Sequence, residues 1–127
     1  MMSKHKTIPK KIREQLYEKY NRKCAYCGCP IEYKDMQIDH VESIYLHGDY
    51  KQDMTESELY DTENLLPACR QCNLYKSAMP VEKFRARITN TLMRNLQGTF
   101  SYQMALKYGL IEEHIGTIRF YFERMEK

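Results

Sequence analysis

Two cysteine pairs constrain this chain more than any other feature. Cys24-Ala25-Tyr26-Cys27 and Cys69-Arg70-Gln71-Cys72 are C-x-x-C motifs with 41 residues between them. Each motif turns back on itself so that two thiolates face one point, and two such turns complete the four-sulfur tetrahedron that structural zinc prefers. A shell filled by protein ligands leaves no place for water or substrate, so the spacing assigns this metal to folding rather than to reaction. A redox role for either pair lacks the βαβ surroundings of a thioredoxin-like site. The fifth cysteine, Cys29, is read as a small packed side chain. The first residues, Met1-Met2-Ser3-Lys4-His5-Lys6, lead into no apolar segment, and nowhere do about 18 apolar residues run together. The expected setting is therefore the cytoplasm, away from membranes, where thiols stay reduced and bind metal rather than form disulfides.

The 127 residues suit a single domain, 1–127. Pro9 at a first helical position, followed by Ile12, Leu16 and Tyr20, predicts a helix over about 9–20. Residues 24–41 read as a hairpin, with Gln37-Ile38-Asp39-His40-Val41 extended. A stretch at 42–63 is acidic, and Thr55 with Glu58 offers a capping box for a short helix inside it. Asn73 to Ala78 predicts a short helix. Pro80 opens another, on which Val81, Phe84, Ile88, Leu92 and Leu96 share a face until Gly98. A further helix runs from Thr99 towards Gly109. Ile118, Phe120 and Phe122 alternate with polar neighbours as a half-buried strand would. The sum is an α+β chain whose small core needs a staple: a basic arm and helix (1–23), a central core (24–78) and a mainly helical extension (79–127) ending in a short strand.

The net charge is only +3, but it is unevenly spread. Residues 1–23 hold eight Lys and Arg against two acids, and residues 41–63 hold seven acids against Lys51 alone. A basic arm suits contact with phosphates, while charge taken alone favours the simpler reading of a solvated helix face. The zinc staple draws together the segments that carry the chain's candidate reactive residues: Asp39 and His40, Asn64 just before the second cysteine pair, and Asn73 directly after it.

At these residues the sequence resembles the HNH endonuclease family, in particular its compact stand-alone members of phages and mobile elements. The matching runs are Cys24-Ala25-Tyr26-Cys27-Gly28, Ile38-Asp39-His40-Val41, and Glu63-Asn64-Leu65-Leu66-Pro67-Ala68-Cys69-Arg70-Gln71-Cys72-Asn73-Leu74-Tyr75-Lys76. The resemblance implies a ββα-metal fold in which a hairpin and a helix grip a divalent cation at the scissile phosphate. It implies that His40 is the general base that takes a proton from water, that Asp39 and Asn73 hold the cation, and that Asn64 orients the site through hydrogen bonds. Asn73 stands where many members carry a histidine. Two oxygen ligands are hard donors, so the implied cation is Mg²⁺ or Mn²⁺ rather than a second zinc. For each residue a structural role competes: a hydrogen-bonded strand histidine for His40, a turn residue for Asn64 and a helix N-cap for Asn73. Lys76, Arg22 and Lys23 are assigned to phosphate contact, with solvation as the alternative for Lys76.

The resulting expectation is an enzyme that hydrolyses phosphodiester bonds of DNA with little reading of bases, using zinc to fold and Mg²⁺ or Mn²⁺ to cut. Two metals with separate tasks imply that Asp39→Ala stops cleavage with little loss of thermal stability, whereas Cys69→Ser destroys the fold. The runner-up is a zinc-knuckle DNA-binding module without catalysis. A third class is a protein-interaction domain, using the acidic insertion 42–63 and the eleven tyrosines as its binding face.

Overall fold

The computed structural model describes residues 8–41 and 64–125. The acidic insertion 42–63, with the Thr55 capping box, lies outside the described residues, as do Lys4 and Lys6 of the basic arm. Contacts divide the chain into two compact units, one of residues 1–81 with 120–127 and one of residues 82–119.

In the first unit, helix α1 (Lys10–Lys19) follows Pro9 as expected. Leu16 and Tyr20 are buried while Ile12 is half-buried, so the four-residue spacing does mark its inner face. Asn21 and Arg22 both adopt positive φ and turn the chain away from the helix. Arg22 N–H donates to the Tyr17 carbonyl at 2.8 Å, satisfying one of the acceptors left over at the helix end. The side chains of α1 also hold the following segment, Arg13 donating to the Met36 carbonyl at 3.0 Å and the Tyr17 hydroxyl to the Ile31 carbonyl at 2.8 Å.

The strand β1 (Gln37–His40) pairs antiparallel with β2 (Leu65–Ala68), setting Gln37 opposite Ala68 and His40 opposite Leu65. This corrects the expected local hairpin over 24–41. Ahead of β1 that segment forms only a bridge from Pro30 back to Lys23 and a one-turn 3₁₀ helix at Tyr33–Asp35, and the partner of β1 comes from beyond the acidic insertion. Burial explains the choice: every residue of Leu65–Ala68 is buried, so these four offer β1 an apolar partner that its polar near neighbours cannot. Helix α2 (Arg70–Lys76) begins three residues earlier than the sequence suggested. Its N-cap is Cys69, whose sulfur accepts from Cys72 N–H, so Asn73 sits inside the helix and the N-cap alternative for it falls away.

The chain's last described element is helix α6 (Tyr121–Arg124), preceded in sequence by α3 (Val81–Ala86), a π-helical stretch (Arg87–Leu92), α4 (Met93–Gln97) and α5 (Phe100–Lys107). The expected strand around Ile118–Glu123 is thus replaced by a helical turn. Three alternating apolar residues are too few to impose a strand, and the backbone finds other partners. The Glu123 carboxylate accepts from Phe120 N–H at 2.9 Å. Tyr121 and Phe122 N–H donate to the carbonyls of Tyr26 and Ala25 at 3.0 and 2.8 Å. The donors at the start of α6 are therefore satisfied by the first cysteine turn.

In the second unit, α4 ends at Gly98 and α5 is capped by Thr99, whose hydroxyl oxygen accepts from Tyr102 N–H at 3.2 Å. Arg85 bridges Glu82 and donates to the Ile118 carbonyl at 3.0 Å, tying the two ends of this unit together. Among the described residues no helix is long and apolar enough to cross a membrane.

Candidate functional site

The four predicted zinc ligands come together. The sulfurs of Cys24, Cys27, Cys69 and Cys72 all lie within 4.8 Å of one another, Cys27 and Cys69 being 3.9 Å apart. A zinc with bonds of about 2.3 Å at tetrahedral angles needs sulfurs separated by about 3.8 Å, so the cluster fits that ion. In both turns the fourth residue's N–H points at the first residue's sulfur at 3.4 Å, as suits a thiolate acceptor. A hydrogen bond from Cys72 pulls the Cys24 thiol down to about 4, and the same bond pushes Cys72 up. Cys29 stands beside the cluster. Burial, reinforced by the neighbouring Cys27 and Cys69, pushes its thiol up to about 12, and its sulfur is not one of the four that lie within 4.8 Å of one another.

The first turn is fixed from both sides. Ala25 N–H donates to the Pro67 carbonyl of β2 at 2.8 Å, and the carbonyls of Ala25 and Tyr26 accept from α6. Gly28 closes the turn at φ 81°, a conformation that favours glycine, and its N–H donates to the Cys24 carbonyl at 2.9 Å. A Cβ there would also sit 3.2 Å from the Arg124 guanidinium.

This framework buries Asp39, which is 6% exposed. Its Oδ2 accepts from the Tyr26 hydroxyl at 2.5 Å and pairs with the Lys76 ammonium at 3.0 Å. Among the described residues Oδ1 takes no hydrogen bond or ion pair. Lys76 also donates to the His40 carbonyl at 3.3 Å. Burial, with the Asp39 charge adding to it, pushes the Tyr26 phenol well above its ordinary range, so Tyr26 remains a donor. The Tyr26 ring packs edge-on against Phe120 and Phe122, with centroids at 5.2 and 6.1 Å.

Two expectations need correcting here. Lys76 is fully buried, with its side chain at 0% exposure, so its ammonium cannot reach a phosphate and is not solvated either; it is the counter-charge of Asp39. For the same reason Asp39 carries stability, and its replacement cannot be neutral to folding. His40 ends β1, half-buried, and Val41 N–H donates to the Asn64 carbonyl at 2.9 Å, which brings Asn64 beside the strand end. Asn73 is half-buried in α2, the helix that packs on β1. Arg22 is exposed and paired with Glu18 at 3.1 Å, and Lys23 lies over the Tyr121 ring at 5.5 Å. The sequence reading missed Tyr26. Its only signal was a tyrosine between two cysteines spaced to hold a metal, on a turn that such a staple would bury.

Comparison with known proteins comes down on one segment. No curated protein matches the chain. Among solved structures it is similar to the Type II-C Cas9 enzyme from Actinomyces naeslundii, at 20% identity and a TM-score of 0.47, over 76% of this chain and 10% of that one. The HNH endonuclease family matches residues 24–78, from the first cysteine turn through α2. The segment that holds both cysteine turns, Asp39, His40, Asn64 and Asn73 is therefore of the HNH endonuclease family.

Proposed function

We propose that the protein is a metal-dependent endonuclease that hydrolyses DNA phosphodiester bonds. The observation that supports this most is the family match at 24–78, because the positions it covers include an Asp-His pair on one strand and an asparagine on the helix packed against it. In this reading His40 accepts a proton from the attacking water, which neutral imidazole can do at cellular pH. Asp39 presents a carboxylate oxygen and Asn73 an amide oxygen to Mg²⁺ or Mn²⁺, and Asn64 steadies the strand end beside His40. The cation supplies stabilisation of the charge that builds on the phosphate. Zinc in the four-cysteine cluster folds the segment, and Arg22 and Lys23 meet the DNA backbone. The reducing cytoplasm is the setting this chemistry suits.

The rival is a zinc-stapled DNA-binding module without catalysis, and one observation favours it: Asp39 is already tied to Lys76, as a purely structural carboxylate would be. A third reading, a protein partner held through the acidic insertion 42–63 and the tyrosines, rests on composition alone. Incubating supercoiled plasmid with the protein and Mg²⁺ or Mn²⁺ separates the first two. Nicked or linear product that disappears with His40→Ala supports the nuclease. DNA binding with no cleavage under any divalent cation refutes it.

A further inference from the structure

We infer that Tyr26 is a positioning residue for the cation-binding carboxylate of Asp39, and that the zinc cluster sets the geometry of the reaction centre through it. The inference rests on the nuclease reading and adds to it. Tyr26 lies between two zinc ligands, Cys24 and Cys27, and its hydroxyl reaches Asp39 Oδ2 at 2.5 Å. Lys76, the second partner of the same oxygen, lies on the helix that carries Cys72 and is capped by Cys69. Both groups that grip Asp39 therefore hang from segments tied to one metal.

The grip is one-sided. With Tyr26 and Lys76 both on Oδ2, the carboxylate is fixed in rotation and Oδ1 is the oxygen left for a cation. A carboxylate ligand is commonly held this way, its outer oxygen hydrogen-bonded so that the inner one is aimed. Tyr26 is itself held in place, its ring packed edge-on against Phe120 and Phe122 and its carbonyl accepting from Tyr121 N–H at 3.0 Å. The turn at 120–124 is thus a buttress for the tyrosine. Lys76 balances the charge while Tyr26 supplies direction, so removing the phenol oxygen should loosen the aim of Asp39 without leaving a buried charge unpaired.

Tyr26→Phe deletes that oxygen and keeps the ring. The measurement is Mn²⁺ affinity of the zinc-loaded protein by electron paramagnetic resonance, made without DNA and alongside zinc content and melting temperature. Loss of a hydrogen bond that orients a metal ligand typically weakens metal affinity by about 10–100-fold, and a fall in that range is expected here with about one zinc per chain retained. The Mn²⁺ concentration for half-maximal plasmid cleavage should rise by the same factor. Unchanged Mn²⁺ affinity, whether the melting temperature falls or not, overturns the inference. If the wild type cleaves DNA while Tyr26→Phe matches it in metal dependence, this inference fails and the nuclease reading stands. If the wild type binds no Mn²⁺ that Asp39→Asn removes, and cuts nothing, both fail together.

Discussion

The ion pair between Lys76 and Asp39 should be among the most sensitive points of the fold. The charges lie 3.0 Å apart, with side-chain exposures of 0% and 7%. At an effective dielectric constant of about 20 that separation corresponds to an attraction of roughly 5–6 kcal/mol, which is offset in large part by the cost of taking both ions out of water. The net worth of the pair is therefore small, but the cost of breaking it is not. Lys76→Met strands a buried carboxylate and Asp39→Asn strands a buried ammonium, and each should destabilise by about 3–5 kcal/mol. For a unit of this size about 3 kcal/mol lowers the melting temperature by more than about 10 °C. The double variant Lys76→Met with Asp39→Asn carries neither charge and keeps a donor and acceptor for Tyr26, so it should recover most of the loss. Urea unfolding of the four zinc-loaded proteins in buffer free of Mg²⁺ measures the coupling directly. A coupling energy below about 1 kcal/mol would mean that the pair behaves like an exposed one, and that Asp39 does not depend on Lys76 for its place in the interior.

Three further outcomes follow from the proposed chemistry. His40→Ala should slow cleavage by about 10²–10⁴-fold with DNA affinity nearly unchanged, as measured by plasmid nicking and fluorescence anisotropy; near-normal cleavage would remove His40 from the role of base. Brief mild chelation should stop cleavage while circular dichroism and zinc content hold steady, and added Mn²⁺ should restore it, whereas Cys69→Ser should unfold the protein; a folded, active protein without zinc would contradict the division between the two metals. Deleting residues 1–6 removes Lys4 and Lys6, so DNA binding should weaken for all sequences alike and its log–log salt slope should flatten by roughly 0.9 for each phosphate that the shortened arm no longer neutralises; an unchanged slope would return that arm to solvent.

What the sequence could announce, and what it could not, follows from the range of the interactions. The cysteine pairs were legible because a tetrahedral ion imposes a local spacing, two residues between ligands, that survives any arrangement of the rest. Helix α1 was legible because Leu16 and Tyr20 bury one face of a continuous turn. The pairing of β1 with Leu65–Ala68 was not, since it closes across the acidic insertion, and no local pattern in 24–41 shows that the nearer partner will be refused. The turn at Tyr121–Arg124 was misread because alternation over three apolar residues does not reveal that Glu123 will cap Phe120 or that the first cysteine turn will accept from the two residues between them.

Lys76 shows the same limit at the site itself. Four residues beyond Cys72, a lysine on a short helix reads as a surface cation, because most lysines are exposed and nothing in the neighbouring residues says otherwise. Its burial is decided by Asp39, 37 positions earlier, once the two cysteine turns have set α2 against β1. The staple draws the ammonium into a place where only a carboxylate makes it tolerable, and the carboxylate is tolerable there only with the ammonium and the Tyr26 phenol. A residue pair of this kind depends on a fold that a metal completes, so the spacing of the metal ligands can be read directly from the chain, while the charges they bury become visible only when the segments meet.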